Sequence, residues 1–305
     1  MATNTNVITL QQDDEFYGVG QSLFQKALRR LRQDRMTMIC LTVVLVFSLL
    51  ALFAPLITTY VLQVSPDTTD PFNKFLPIGT PGHPLGTDDL GRDQLARLLH
   101  AGRVSLGIGF FGALISLAIG LLFGTMTGYF GGIVDDLMNW VITTLDSIPS
   151  LYLLILISAI FAPTAEALVF VVALIGWTGV TRLIRGQTIQ IRNLDYITSA
   201  QAIGASSWRI MYTHIVPNLI SLTAIMLARS IGGLMLAEAG LSFLGLGVQP
   251  PQATWGNMLT KSQQFFTLGP HLVLVPGLAI SITVLCFYII GDGVRDAFDP
   301  TTTDD

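Results

Sequence analysis

The chain has 305 residues, of which 51% are hydrophobic and only 12% charged, with a formal net charge of −4 and a mean hydropathy of +0.62. A soluble globular domain carries about 25% charged residues, so this deficit excludes an ordinary water-soluble protein and points to a polytopic membrane protein. The two cysteines, Cys40 and Cys286, sit inside long apolar stretches and exclude a disulfide framework.

From the N-terminus, the first 25 residues contain Asp13, Asp14 and Glu15 and no apolar run. The first apolar stretch follows Arg35 and is too long for the core of a signal peptide, so it is expected to be retained. A membrane core of about 30 Å takes about 20 mostly apolar helical residues, and charge-poor stretches predict six spans. The first covers residues 36–60. Lys26, Arg29, Arg30, Arg32 and Arg35 precede it and place the tail 1–36 in the cytoplasm by the positive-inside rule. Residues 61–102, rich in Pro, Thr, Asp and Gly, form an outer loop of ordered turns. Within it Thr87 is expected to cap a helix whose first turn holds Asp88 and Asp89, with Leu90, Leu95, Leu98 and Leu99 making an amphipathic lead into the second span.

The second span covers 103–126. Gly112, Ser116, Gly120, Gly124 and Gly128 recur every four residues along it, a small-residue face that lets another helix come close. A tight turn at 128–132 leads to a third span, 136–161, which contains Asp146 and Pro149 and is expected to be kinked or broken there. The fourth covers 164–181, with Glu166 at its outer end and Arg182, Arg185 and Arg192 marking a cytoplasmic exit. The fifth starts at Pro217, suited to a first helical turn, and reaches 236; the sixth covers 272–290. Residues 240–270 are too irregular for a span and read as an outer re-entrant or surface element that must pack against protein. The membrane domain is thus 37–292, with a short cytoplasmic tail at 293–305.

The most informative segment, 182–216, joins spans four and five. It contains Tyr196, Ala200, Ala202 and Ile203, then Gly204 and Ala205, and is followed by Pro217. Gly204 can take the left-handed conformation that ends a helix, and Ser206 or Ser207 can cap the next. An apolar helix on the cytoplasmic side is a knob for a partner's groove. Three ionisable residues lie in or near spans: Asp146, Arg229 and Glu238. Each is costly in lipid and should face the bundle interior. Asp146 and Arg229 can line a pathway or form structural pairs; Glu238 reads as structural. Arg229 and Glu238 are about half a turn out of phase and make poor partners. His83, Asp88, Asp93 and His100 supply metal-ligand atoms without a tight ligand spacing, and a scaffold role fits them better.

Residues 196–217 resemble the EAA loop, the coupling helix of bacterial ABC import permeases. That pattern has Glu-Ala-Ala, a Gly four residues after the second Ala, and a closing Leu-Pro; here Thr198-Ser199-Ala200, Gly204 and Val216-Pro217 stand in those places, so the acidic residue is missing. His83-Pro84-Leu85-Gly86-Thr87-Asp88-Asp89-Leu90-Gly91-Arg92-Asp93 is similar to the outer-loop signature of dipeptide, oligopeptide and nickel importer permeases. Glu238-Ala239-Gly240-Leu241-Ser242-Phe243-Leu244-Gly245-Leu246-Gly247 with Trp255-Gly256, and the closing Gly291-Asp292-Gly293-Val294-Arg295-Asp296-Ala297-Phe298-Asp299-Pro300, match the second, shorter permease of that family.

Together the matches run over residues 26–300. The resemblance implies an all-α, six-helix type I importer permease in a bacterial or archaeal cytoplasmic membrane, with both termini inside. It implies transport of di- or oligopeptides beside a second related permease, two ATPase subunits that hold ATP and Mg, and an extracytoplasmic peptide-binding protein. Membrane lipid surrounds it, and nucleic acid has no part. Nickel or a glycoside is the alternative cargo.

The only lysines, Lys26, Lys74 and Lys261, lie in no Gly-x-x-x-x-Gly-Lys-Ser/Thr stretch. The chain is therefore expected to bind no nucleotide or other cofactor and to be no enzyme itself. A proton-coupled carrier would use Asp146 and Glu238 as relays but would also need inverted repeats with paired broken helices. A membrane enzyme would need a clustered reactive set.

Overall fold

The protein, seen in a computed structural model, is described over residues 23–160 and 164–298. Asp13, Asp14 and Glu15, Phe161 at the expected end of the third span, and Asp299 and Pro300 of the closing motif lie outside the described residues. In chain order the main helices are α1 (Leu23–Gln33), α2 (Arg35–Leu52), α3 (Gln94–Phe130), α4 (Gly132–Asp146), α5 (Ser150–Ile160), α6 (Ala165–Arg192), α7 (Asp195–Ala202), α8 (Ser207–Ile210), α9 (Ile220–Phe243) and α10 (His271–Phe298). Among the described residues there is no strand, only two isolated bridges in the loop before α3.

Helices α2, α3, α6, α9 and α10 are each long and apolar enough to cross a membrane, and α4 with α5, bent by 81°, brings the number to six when the pair is counted as one broken span. The bend falls at Pro149. Proline has no N–H to give and its ring clashes with the preceding turn, so the chain breaks after Asp146 and restarts at Ser150.

The bundle has two unlike ends. The segments 63–93 and 244–270 sit together at one, the loop end; α7 and α8 form an elbow at the other. Helix α3 joins the two and packs along α6. At Gly112, Gly120, Gly124 and Gly128 an added Cβ would lie 2.8, 2.4, 2.7 and 2.6 Å from side-chain atoms of Val172, Val180, Ile184 and Thr188. Ser116, in the same row, donates its hydroxyl to the Ala173 carbonyl at 3.0 Å. The row of small residues therefore meets α6 along its length. The main core, around Ile108, Leu168, Val172, Met235, Leu241 and Trp255, is gathered by α3, α6, α9 and α10.

Several boundaries differ from the sequence expectation. Helix α3 begins at Gln94, inside the stretch expected as loop 61–102. Thr87 does not cap it: its hydroxyl accepts from the Leu76 N–H and donates to the Asn73 carbonyl. The cap is Asp93, whose carboxylate accepts from the Ala96 N–H at 2.7 Å. Asp88 holds residues 87–92 out of the helix by accepting from the N–H groups of Leu90 and Arg92.

With 37 residues, α3 is about 55 Å long and outruns a membrane core of about 30 Å. Helix α6 runs on to Arg192, so the first part of the 182–216 segment is still this helix. Pro217 lies in a separate turn, Val216–Asn218, after a π-helical turn, Met211–Ile215; widening the helix there relieves the proline's clash. Helix α9 extends to Phe243 and takes in the first residues of the expected 240–270 element. Helix α10 extends to Phe298, taking in half of the expected tail 293–305. Its glycines explain the closing motif: a Cβ at Gly293 would lie 1.9 Å from the Thr37 hydroxyl, so only a glycine lets α10 meet the start of α2.

The α3–α6 contact predicts a specific sensitivity. Gly124→Ala places its methyl against Ile184 and the Thr181 carbonyl and should destabilise the detergent-solubilised protein by roughly 1–3 kcal/mol, the usual cost of overpacking. Gly179→Ala, where a Cβ meets nothing within 4 Å, should not. Equal melting temperatures for the two variants would contradict this packing.

Candidate functional site

The elbow is built from a helix that ends on schedule. At the close of α7 the Ala205 N–H donates to the Ala200 carbonyl and the Gly204 N–H to the Gln201 carbonyl, both at 3.0 Å. Gly204 has φ +85°. This is the paired bonding by which a left-handed glycine closes a helix. Ser206, the nearer of the two expected serines, then caps α8 by accepting from the Arg209 N–H.

Helix α7 turns Ile197 and Ala200 inward onto Ile210, Met211, Ile215 and Ile184. Ala200, grouped by sequence with the outward-facing residues, is therefore an anchor of the elbow and not part of its surface. Tyr196, Ala202, Ile203 and Gly204 remain exposed, as does Pro217, while Ala205 is half-buried. Ile203 is 88% exposed, and on α8 and the turn after it Trp208 and Tyr212, both exposed, stack with ring centroids 6.1 Å apart. The surface is an apolar knob on a buried root. Thr198 and Ser199 are exposed on it, and Thr198 turns its hydroxyl back to the Asp195 carbonyl.

The elbow is tied to the bundle by charge. Arg185 donates through Nε and Nη2 to the two oxygens of Asp135 at 2.5 Å each, a two-pronged geometry that fixes orientation as well as distance. Arg182 pairs with Asp146 at 2.6 Å, and Arg192 donates to the Tyr129 carbonyl at 2.9 Å. Helix α6, which carries the elbow, is thereby clamped to α3 and α4. Sequence reasoning placed Asp146 in the bundle without naming its partner, and it missed the Asp135–Arg185 clamp. Its signal was the run of arginines at one helix turn on α6, set against carboxylates otherwise unpaired in α4.

The remaining ionisable residues fall apart from one another. Arg229 lies 3.9 Å from Asp292 and over the Tyr288 ring at 6.0 Å. Glu238 is buried near the loop end, where Ser105 and Ser242 donate to its two oxygens at 3.3 and 2.7 Å and the backbone N–H of Trp255 donates to the Ser105 hydroxyl at 3.0 Å. It joins α3, α9 and the segment 244–270, which dips into the bundle as far as Trp255.

His83, Asp88, Asp93 and His100 do not converge. His83 bonds Asp93 at 2.8 Å, Asp88 bonds Arg92, and His100 bonds Thr58. Among the described residues no three His, Cys, Asp or Glu side chains come together as a metal site.

Comparison with known proteins bears on this arrangement. Residues 120–304 match the family model described as "Binding-protein-dependent transport system inner membrane component", and residues 22–77 match the "N-terminal TM domain of oligopeptide transport permease C". The chain is similar to the oligopeptide transport system permease protein OppC of Bacillus subtilis, 34% identical over 92% of this chain and 90% of that one. It is similar to the dipeptide transport system permease protein DppC of Alkalihalophilus pseudofirmus, 35% identical over 94% and 92%. It is also similar to the glutathione transport system permease protein GsiD of Pectobacterium atrosepticum, 39% identical over 72% of each.

The buried carboxylate yields a prediction of its own. Glu238→Leu leaves the Ser105 and Ser242 hydroxyls without their acceptor, at a cost of about 1–3 kcal/mol, and frees the segment held through Trp255. The variant should melt earlier and be cut sooner by protease within 244–270. Wild-type melting and cleavage would show that Glu238 ties nothing.

Proposed function

Because the chain belongs to the binding-protein-dependent transport system inner membrane components, we propose that it is the permease subunit through which an ATP-driven importer passes short peptides across the cytoplasmic membrane. The observation that carries this reading is the exposed Ile203–Gly204 knob on a buried, charge-clamped root. The sequence has no phosphate-cradling loop, and an apolar knob at a bundle end is a surface on which an ATPase partner can dock and push.

The orientation follows from the cations. Lys26, Arg29, Arg30 and Arg32 of α1, which packs on the end of α10, lie at the elbow end with Arg182, Arg185 and Arg192. By the positive-inside rule the elbow end and both termini are cytoplasmic, and the loop end faces outward. Two ATPase subunits, holding ATP and Mg, dock on the elbow. A second related permease supplies the other half of the pathway. An extracytoplasmic binding protein delivers peptide to the surface made by 63–93 and 244–270. The cargo class rests on the names of the relatives, which cover oligopeptide, dipeptide and glutathione transport, all of them peptides with charged termini.

The test is the complete complex in liposomes, following ATP-driven uptake of labelled peptides. A side chain in the left-handed region costs roughly 1–2 kcal/mol, and at Gly204 it also covers the docking surface. Gly204→Leu should still insert and assemble while uptake per ATP hydrolysed falls about tenfold or more. Wild-type coupling in that variant, or uptake by the purified chain alone driven by a proton gradient, would reject the reading.

A further inference from the structure

Arg97, Arg182, Arg185 and Arg229 each face a carboxylate, whereas Arg103 has no hydrogen bond or ion pair among the described residues. It lines an open cavity of about 440 Å³ at the loop end, together with Asp67, His100, Gly107, Phe111 and Glu166. That volume falls within the range of roughly 300–1,000 Å³ that small-molecule sites occupy.

Arg103, Gly107 and Phe111 are spaced by four and share one face of α3. This face is distinct from the row that packs on α6. A Cβ at Gly107 would meet nothing within 4 Å, so this glycine serves no helix contact and leaves the floor of the cavity open. Phe111, one turn deeper, is 55% exposed. A guanidinium on a lipid-facing surface is costly, so a face that carries Arg103 above an open floor suits water and solute.

The cavity offers both signs of charge. Its cation comes from α3, while Glu166 comes from the first turn of α6 and Asp67 from the loop before α3. His100 is already bonded to Thr58, and Asp67 partly to Arg97 at 3.4 Å. A solute with one free carboxylate, one free ammonium and an apolar side chain matches that set: the carboxylate can take two parallel N–H bonds from a guanidinium, the ammonium a carboxylate, and the side chain the Phe111 ring. We infer that this cavity is the entry subsite of the pathway, and that Arg103 receives the C-terminal carboxylate of the incoming peptide. The inference rests on the peptide-importer reading above.

The experiment compares uptake of one labelled dipeptide as its free acid and as its C-terminal amide. It uses liposomes holding the complete complex and its binding protein, with wild type, Arg103→Gln and Arg103→Lys. The binding protein is common to all arms, so a change in the acid-to-amide ratio belongs to the permease. Co-purification of the subunits checks that each variant assembles. Loss of a charge-assisted hydrogen bond predicts about tenfold lower uptake of the free acid in Arg103→Gln, with the ratio shifted toward the amide and largely restored in Arg103→Lys. An unchanged ratio, or equal loss of both peptides, overturns the role of Arg103 while leaving the importer reading intact. A wild-type complex that carries neither form overturns the importer reading itself, and the subsite with it.

Discussion

The close approach of α3 and α6 is the constraint on which the rest depends. Four glycines and Ser116 remove the side chains that would hold the two backbones apart. In lipid there is little hydrophobic drive between helices, so close van der Waals contact of this kind has to do much of the holding. The approach also brings Arg182 and Arg185 of α6 against Asp146 and Asp135 of α4, because α4 leaves the end of α3 after a single glycine. Packing and ion pairing thus reinforce each other at the end where the elbow begins.

The two ends of the bundle are organised by different physics. At the elbow an apolar root of isoleucines holds α7 against the bundle while Ile203 stays in the open. At the loop end, polar contacts across long sequence distances do the joining: Glu238 to Ser105, Trp255 to Ser105, and Lys261 to Asp89 at 3.1 Å. The closely packed pair α3 and α6 connects them. The elbow continues from α6, the glycine row joins α6 to α3, and the far end of α3 lines the cavity that holds Arg103.

Much of this was legible in the residues. Apolar length announced the crossings, Pro149 the break in the third, the four-residue glycine period the packing face, and Gly204 the end of α7. Each is a local signal. What sequence missed was set by distant partners or by helix continuing beyond the membrane. Helix α3 starts at Gln94 because Asp93 caps it, but Thr87 was an equally good local cap until Asn73 and Leu76 claimed its hydroxyl. Ala200 looked like surface because α7 is apolar on two sides, and only the positions of Ile210 and Met211 decide which side turns in. Of the partners of Glu238 only Ser242, one helical turn away, is visible locally; Ser105 lies 133 residues back.

The central claim is that the knob is where partner subunits push. The most direct measurement places a photo-crosslinking residue at position 203 in the assembled complex and identifies what it captures with and without ATP. Capture of the ATPase subunit is expected from position 203 and none from position 197, whose side chain is 0% exposed at the elbow's root. Capture of lipid alone from position 203, or of the ATPase equally from both positions, would contradict it.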